Sequence, residues 1–178
     1  MLERHQCVTM CYNIPGQTWP SELGWLYDTF KHSKAHVEVG TYCGRSLLAS
    51  CGAMDPGALV VAVDNDQEAW SADWVIVVRE ATIKLIPVPV HKMVTGSLEA
   101  ALECHRLGLM FDSVFIDANH HYAECCADIE AWRALLKPGG ILAGHDYWPV
   151  HTGVMDAVNR LVPGFEVVPG TRIWWARL

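Results

Sequence analysis

Residues 35–46 read AHVEVGTYCGRS, and the order of residue types in this stretch sets the fold. Ala35 to Val39 is a short apolar run that stops at Gly40. From Gly44 the pattern turns helical as far as Cys51, closed by Gly52 and the turn Asp55-Pro56-Gly57. A strand feeding a glycine turn and then a helix opens a βαβ unit. The next run, Ala58 to Val63 (ALVVAV), is continuously apolar, as expected for a parallel strand covered on both faces.

The alternation continues outward. Trp74, Val77, Val78, Ala81 and Leu85 fall at helical spacing, which predicts a helix over 67–85 that carries the chain back to a third strand near 89–94. Ser97 starts a helix to about Leu107, with Glu99 and Glu103 near its start. Asp112 to Ile116 is the fourth strand. Tyr122 to Leu136 is a helix whose Ile129, Trp132, Leu135 and Leu136 share a face, ended by Pro138-Gly139-Gly140. Ile141 to Ala143 is the fifth strand and Thr152 to Leu161 a last helix. Phe165–Val168 and Arg172–Ala176, joined by Pro169-Gly170, read as a hairpin. The expected fold is α/β: a doubly wound, mostly parallel, seven-stranded, Rossmann-like sheet ending in an antiparallel hairpin. One domain spans 1–178, with 1–34 as an N-terminal cap segment.

Composition removes several classes of function. A chain of 178 residues, 51% hydrophobic and 19% charged, has enough apolar surface for one core and is not a disordered composition. A net charge of −7 with scattered basic residues repels phosphate backbones and anionic lipid, so neither nucleic acid nor a membrane is an expected partner. No run reaches the ~18 apolar residues of a span. The first residues lack the apolar centre of a signal peptide, and the cytoplasm is the expected location. The seven cysteines form no C-x-x-C pair. They read as small buried hydrophobes in a reducing compartment rather than as disulfides or a zinc ribbon.

In a doubly wound sheet ligands bind beyond the carboxyl ends of the strands, near the switch in strand order. Those places hold the glycine turn, Asp64-Asn65, Gly96-Ser97, Asp117 to His121, and His145-Asp146. Gly40 can take backbone angles closed to other residues, and Gly44 lets backbone approach a ligand at a helix start. The turn lacks the glycines at 42 and 45 that a G-x-G-x-x-G pyrophosphate fingerprint needs, which disfavours a dinucleotide. Asp64 can accept hydrogen bonds from both ribose hydroxyls, or it can cap the following helix. The two features together suggest an adenosine-bearing ligand without a pyrophosphate.

VEVGTYCGRS resembles the first motif of class I S-adenosylmethionine-dependent methyltransferases, most closely the catechol and caffeoyl-CoA O-methyltransferase group and its small bacterial relatives. FIDANHHY followed by AWRALLKPGGILAGHDY is similar to their fourth and fifth strand motifs, so the resemblance spans about residues 35–150. It implies S-adenosylmethionine as cofactor, with Glu38, Gly40, Thr41, Tyr42, Gly44 and Ser46 around the methionine end. Asp64 and Asn65 would lie at the ribose, Ser97 by the adenine and Asp117 at the sulfonium. It further implies Mg²⁺ held by Asp117 and Asp146. Tyr147 stands where catechol-type enzymes carry an asparagine ligand, and His120 near where they carry a lysine. The second departure points to His120, or its neighbour His121, as the base beside Asp117.

The resulting expectation is methyl transfer to a hydroxyl of a small-molecule acceptor, walled by Trp19, Tyr147 and Trp148, with a homodimer closing the site. His120, His121 and His145 with the two aspartates also form a set that suits a softer metal. Two rival readings follow. One is a cofactor-binding module without transferase activity, and the other is a metal-dependent hydrolase using the His/Asp cluster. Base methylation of nucleic acid is disfavoured, because the fourth strand ends in Asp-Ala-Asn-His and not in Asn-Pro-Pro-aromatic.

Overall fold

The computed structural model describes residues 1–66 and 72–178. Two helices, α1 (Arg4–Tyr12) and α2 (Pro20–Phe30), precede the first strand, β1 (Ala35–Val39). There follow α3 (Arg45–Cys51), β2 (Leu59–Asp64), α4 (Asp73–Ile83), β3 (Val90–Val94), α5 (Ser97–Arg106) and β4 (Phe111–Ile116). The chain ends with α6 (Tyr122–Arg133), β5 (Leu136–Gly144), α7 (Thr152–Leu161), β6 (Glu166–Val167) and β7 (Trp174–Arg177). The strands form one sheet in the order β3-β2-β1-β4-β5-β7-β6. Strands β1 to β5 run parallel, while β7 is antiparallel to both β5 and β6. The doubly wound sheet with its antiparallel hairpin is therefore the observed fold.

Side-chain alternation along the strands divides the core into two layers. Val37, Val39, Val61, Val63, Val114, Ile116 and Leu142 face α5, α6 and α7, with Trp132 fully buried among them. Val60, Ala62, Phe115, Ile141 and Ala143 face α1, α2 and α3, where Leu23, Leu26 and Phe30 are fully buried. The segment 1–34 is thus mostly a layer of the core. Its connecting loop, residues 13–19, reaches the carboxyl ends of the strands, and Arg45 fixes it there by donating to the carbonyls of Ile14 (2.5 Å) and Thr18 (2.9 Å), and to that of Tyr12 (3.1 Å) at the end of α1.

Several boundaries differ from expectation. Helix α4 is shorter than 67–85; it begins at Asp73, and residues 67–71 lie outside the described residues. Helix α6 stops at Arg133, because Leu136 already pairs with Phe111 and the Phe111 N–H donates to Leu135 O at 2.8 Å. Strand β5 accordingly starts at Leu136 and absorbs Lys137–Gly140 as an irregularity in its pairing, with Gly139 at φ +78°. The hairpin strand β6 is only two residues long. All seven cysteines are free thiols, six of them buried. Among the described residues no helix is long and apolar enough to cross a membrane.

Candidate active site

The switch between β1 and β4 places the glycine turn against the loop after β4. Gly40 has φ +87°, and a Cβ there would stand 1.9 Å from the Asp117 carbonyl oxygen, so only glycine fits. Its N–H donates to Val63 O at 2.9 Å, tying the turn to β2 as well. Tyr42 has φ +47°, an uncommon angle for a non-glycine residue, and its N–H donates to Asp64 Oδ2 at 2.7 Å. Asp64 also accepts the Asp66 N–H at 3.2 Å and pairs with Arg79 Nη1 at 3.2 Å. Ala72 occupies the N-cap position of α4, and no side chain caps that helix among the described residues. Arg79, buried and shared between Asp64 and Asp66, is missing from the sequence-based site.

These strand ends enclose a cavity of about 560 Å³. Gly40, Tyr42, Asp64, Asn65, Ser97 and Asp117 line it, as expected from the sequence, and Val75 and Leu98 give it apolar wall. Ser97 Oγ accepts the Trp132 Nε1–H at 2.9 Å beside the buried Asp128, whose carboxyl burial pushes up in pKa. Thr41 and Ser46 line a second cavity of about 250 Å³, which shares Gly40, Tyr42, Asp117 and Ala118 with the first. Gly44 and Glu38 line neither cavity. Gly44 (φ +82°) starts α3, with its N–H on Thr41 O at 2.7 Å. Glu38 is fully buried and does not face a sulfonium across open space. Burial, then the charge of Asp117, raise its pKa well above the usual range.

The second cavity is lined by charged side chains from distant parts of the chain. The strand ends bring together Asp117 after β4, His120 in the following loop, and His145 and Asp146 after β5. Asp146 sits at φ +58°, a left-handed angle that turns its carboxylate back over the site. Its Oδ2 meets His120 Nε2 at 2.8 Å, while its Oδ1 faces His145 Nδ1 at 3.2 Å and Arg172 Nη1 at 3.5 Å. His151 Nε2 lies 3.9 Å from the same carboxylate. Gly153 closes this corner: a Cβ there would stand 2.3 Å from His120 O, so α7 packs directly on the His120 loop. His121 is exposed at the start of α6, its N–H held by Asn119 Oδ1 at 2.8 Å, and only His120 enters the cluster.

Besides Arg79, two more residues were not found from the sequence. Glu22, on α2, has 0% exposure; its Oε2 accepts the Trp19 N–H at 2.7 Å and lies 3.2 Å from His145 Nε2. Its Oε1 accepts the Arg172 N–H at 2.9 Å. The Arg172 guanidinium pairs with Glu22 at 3.4 Å, donates to Gln17 O and stacks on Trp19 at 4.6 Å. Position 22 reads from sequence as an acidic residue in the first turn of a helix, which hides its second contact. A lone arginine in the apolar terminal hairpin was the one available signal for Arg172.

The charges follow from these contacts. Burial works against the His145 cation, but Asp117, Asp146 and Glu22 outweigh it and raise the ring to about 10. Burial likewise opposes the Glu22 anion, yet His145 and two backbone N–H groups hold it near 2. Asp146 is held well below the usual carboxylate range by His120 and His145 against the effect of burial. The hydrogen bond to Asp146 raises His120, and burial raises Asp117.

The residues expected to hold Mg²⁺ share one cavity, and the candidate ligand atoms of Asp117, His145 and Asp146 lie within 4.8 Å of one another, as do those of His120, Asp146 and His151. Mg²⁺ asks for an octahedron of oxygen donors and water. His145 Nδ1 instead stands 3.7 Å from Asp117 and 3.2 Å from Asp146, and both Asp146 oxygens already face nitrogen donors. The aromatic walls also fail to form. Trp19 carries Arg172, Tyr147 donates to Asn159 Oδ1 at 3.1 Å and packs on Phe165, and none of Trp19, Tyr147 and Trp148 lines the cavity.

Three similar solved structures set this geometry among known folds. An O-methyltransferase from Bacillus cereus, solved with S-adenosylhomocysteine, superposes with TM-score 0.69 at 16% identity, covering 98% of this chain and 90% of that one. TomG from Streptomyces achromogenes, an O-methyltransferase of tomaymycin synthesis solved with S-adenosylmethionine, gives 0.71 at 15% identity, covering 97% and 89%. CalS11, a TDP-rhamnose 3′-O-methyltransferase of calicheamicin biosynthesis, gives 0.64 at 17% identity, covering 99% and 81%. No curated protein sequence matches. Residues 37–147, from the middle of β1 to just past the end of β5, match the family described as a methyltransferase domain, and the chain belongs to that family.

Proposed function

We propose that the enzyme transfers the methyl group of S-adenosylmethionine to a hydroxyl oxygen of a small acceptor. The observation that carries this reading is the junction of the two cavities at Gly40, Tyr42 and Asp117, with the His120–Asp146 pair facing the smaller one. The larger cavity supplies the carboxylate of Asp64 for a ribose and the apolar Val75 and Leu98 for an adenine. The S-adenosylhomocysteine and S-adenosylmethionine bound to the Bacillus cereus and Streptomyces relatives support the same cofactor here.

Methyl transfer is an in-line displacement, and alignment of acceptor oxygen, methyl carbon and sulfur supplies much of its catalysis. A neutral hydroxyl is a weak nucleophile, so its proton must leave as the bond forms. Asp146 accepts from His120 Nε2, which fixes the tautomer whose Nδ1 is basic. Nδ1 would take the acceptor O–H proton, and S-adenosylmethionine, held at Asp64 and the glycine turn, would supply the methyl group to the oxygen and leave as S-adenosylhomocysteine. A second cavity adjoining the larger one and holding His120 supports this reading over a binding module without transferase activity.

The test is transfer from methyl-labelled S-adenosylmethionine to a panel of diols, sugars, catechols, amines and thiols. Label on a hydroxylated acceptor, lost in His120→Ala, is the expected result. Transfer to nitrogen or sulfur acceptors alone overturns the hydroxyl assignment.

A further inference from the structure

We propose that His120, Asp146 and His151 form a site for one divalent transition-metal ion of the zinc class, at the outer edge of the smaller cavity. Donor atoms of the three side chains lie within 4.8 Å of one another. Separate elements bring them together. His120 comes from the loop after β4, Asp146 follows β5, and His151 is the N-cap residue of α7. Gly153 lets α7 pack directly on His120 O, and the two imidazole rings meet with centroids 4.1 Å apart.

The spacing suits such an ion. Zinc bonds of about 2.0–2.1 Å set tetrahedral donors about 3.4 Å apart. Nε2 of His120 and Nε2 of His151 stand 2.8 and 3.9 Å from the Asp146 carboxylate, on either side of that separation. Two imidazoles and one carboxylate are donors for borderline ions such as Zn²⁺ and Co²⁺, whereas Mg²⁺ keeps to oxygen. Three protein ligands leave a fourth position for water. The carboxylate is also held from behind. Its Oδ1 faces His145 Nδ1 at 3.2 Å and Arg172 Nη1 at 3.5 Å, which keeps Oδ2 turned to His120.

The deeper set of Asp117, His145 and Asp146 offers a single nitrogen, on a ring that is 3% exposed and whose Nε2 faces Glu22. His120 is exposed and His151 partly so, which gives an ion a route from solvent to the outer set. An ion on Nε2 of His120 replaces the proton that this nitrogen presents to Asp146, and that proton moves to Nδ1. The consequence for the reaction rests on reading His120 as the base. With its Nδ1 protonated the ring takes no proton from an acceptor, so the loaded site and the free base exclude each other.

The test reads binding and needs no turnover. Co²⁺ is titrated into the untagged full chain after treatment with a chelator, and its visible d–d absorption is followed. One ion per chain is expected, half-saturating at micromolar Co²⁺, displaced by Zn²⁺ and not by about 10 mM Mg²⁺. His151→Ala and Asp146→Asn should each weaken binding at least about tenfold. Should His151→Ala not fold, by circular dichroism, His120→Gln takes its place. Half-saturation only at millimolar Co²⁺ overturns the proposal, as does undiminished binding in folded His151→Ala. Binding lost in His145→Asn but kept in His151→Ala assigns the ion to the deeper set and overturns it too. Each of these failures leaves the methyl-transfer reading standing, since that reading is tested on labelled acceptors.

Discussion

The larger cavity is built from backbone at consecutive strand ends, whereas the smaller one is built from side chains gathered across nearly the whole chain. In the larger, Gly40, Tyr42 and Asp64 lie within 25 positions, and their contacts are N–H groups on carbonyls and one carboxylate. The smaller is lined from Pro15 to Asp146, and behind its His145 and Asp146 stand Glu22 and Arg172, 150 positions apart, which meet only because β7 inserts beside β5 and α2 packs beneath. The difference teaches where each kind of information sits. A backbone cradle depends on local angles that a few glycines specify. A charge cluster depends on tertiary assembly, and its properties belong to the group and not to one residue.

If the two halves are separable, damage to one should leave the other intact. The largest effect is expected from His120→Ala, which should lower methyl transfer by about 10²–10⁴-fold, the usual worth of a positioned base. Titration calorimetry should show S-adenosylhomocysteine binding essentially unchanged; a parallel loss of binding would mean that the halves are one unit. Glu22→Ala comes next. It removes a fully buried carboxylate from a buried cation, and urea unfolding should show a loss of about 3–5 kcal/mol. A loss no greater than that of an exposed pair such as Arg106–Glu103 would deny the charges assigned to the cluster.

Asp64→Ala should weaken cofactor binding by about 1–3 kcal/mol, the cost of unpaired polar partners, and leave a methyl-transfer step limited by His120 at saturating cofactor. Unchanged affinity would leave Asp64 with Arg79 and Tyr42 alone as its function. The smallest effect is a displacement of the pH profile. The bond to Asp146 raises His120, so the base is protonated over a wider range and activity should climb through a limb centred above 6.5. Asp146→Asn removes that partner and should move the limb downward; an unmoved limb would assign it to another group.

The same division explains how much could be read in advance. The period of the apolar runs and the glycines after β1 made the sheet, its terminal hairpin and the positions of Gly40, Asp64 and Ser97 legible, because each is fixed by local geometry. The end of α6 was not, since pairing of Leu136 with Phe111 competes with helix continuation and wins only in the assembled sheet. Glu38 lines neither cavity because strand alternation turns it toward the α1–α3 layer, next to buried Ser46. Trp19 and Tyr147 suggested aromatic walls, but their rings are used by Arg172 and Phe165. Glu22 was hidden behind an ordinary helix-start pattern.

The most direct measurement of the account is titration calorimetry of S-adenosylhomocysteine into wild type, Asp64→Ala and His120→Ala side by side. The account predicts one site per chain in wild type, an affinity about 5–150-fold lower in Asp64→Ala, the equivalent of its 1–3 kcal/mol, and wild-type affinity in His120→Ala. No heat of binding to the wild-type protein at millimolar ligand, or a loss in His120→Ala matching that in Asp64→Ala, would contradict it.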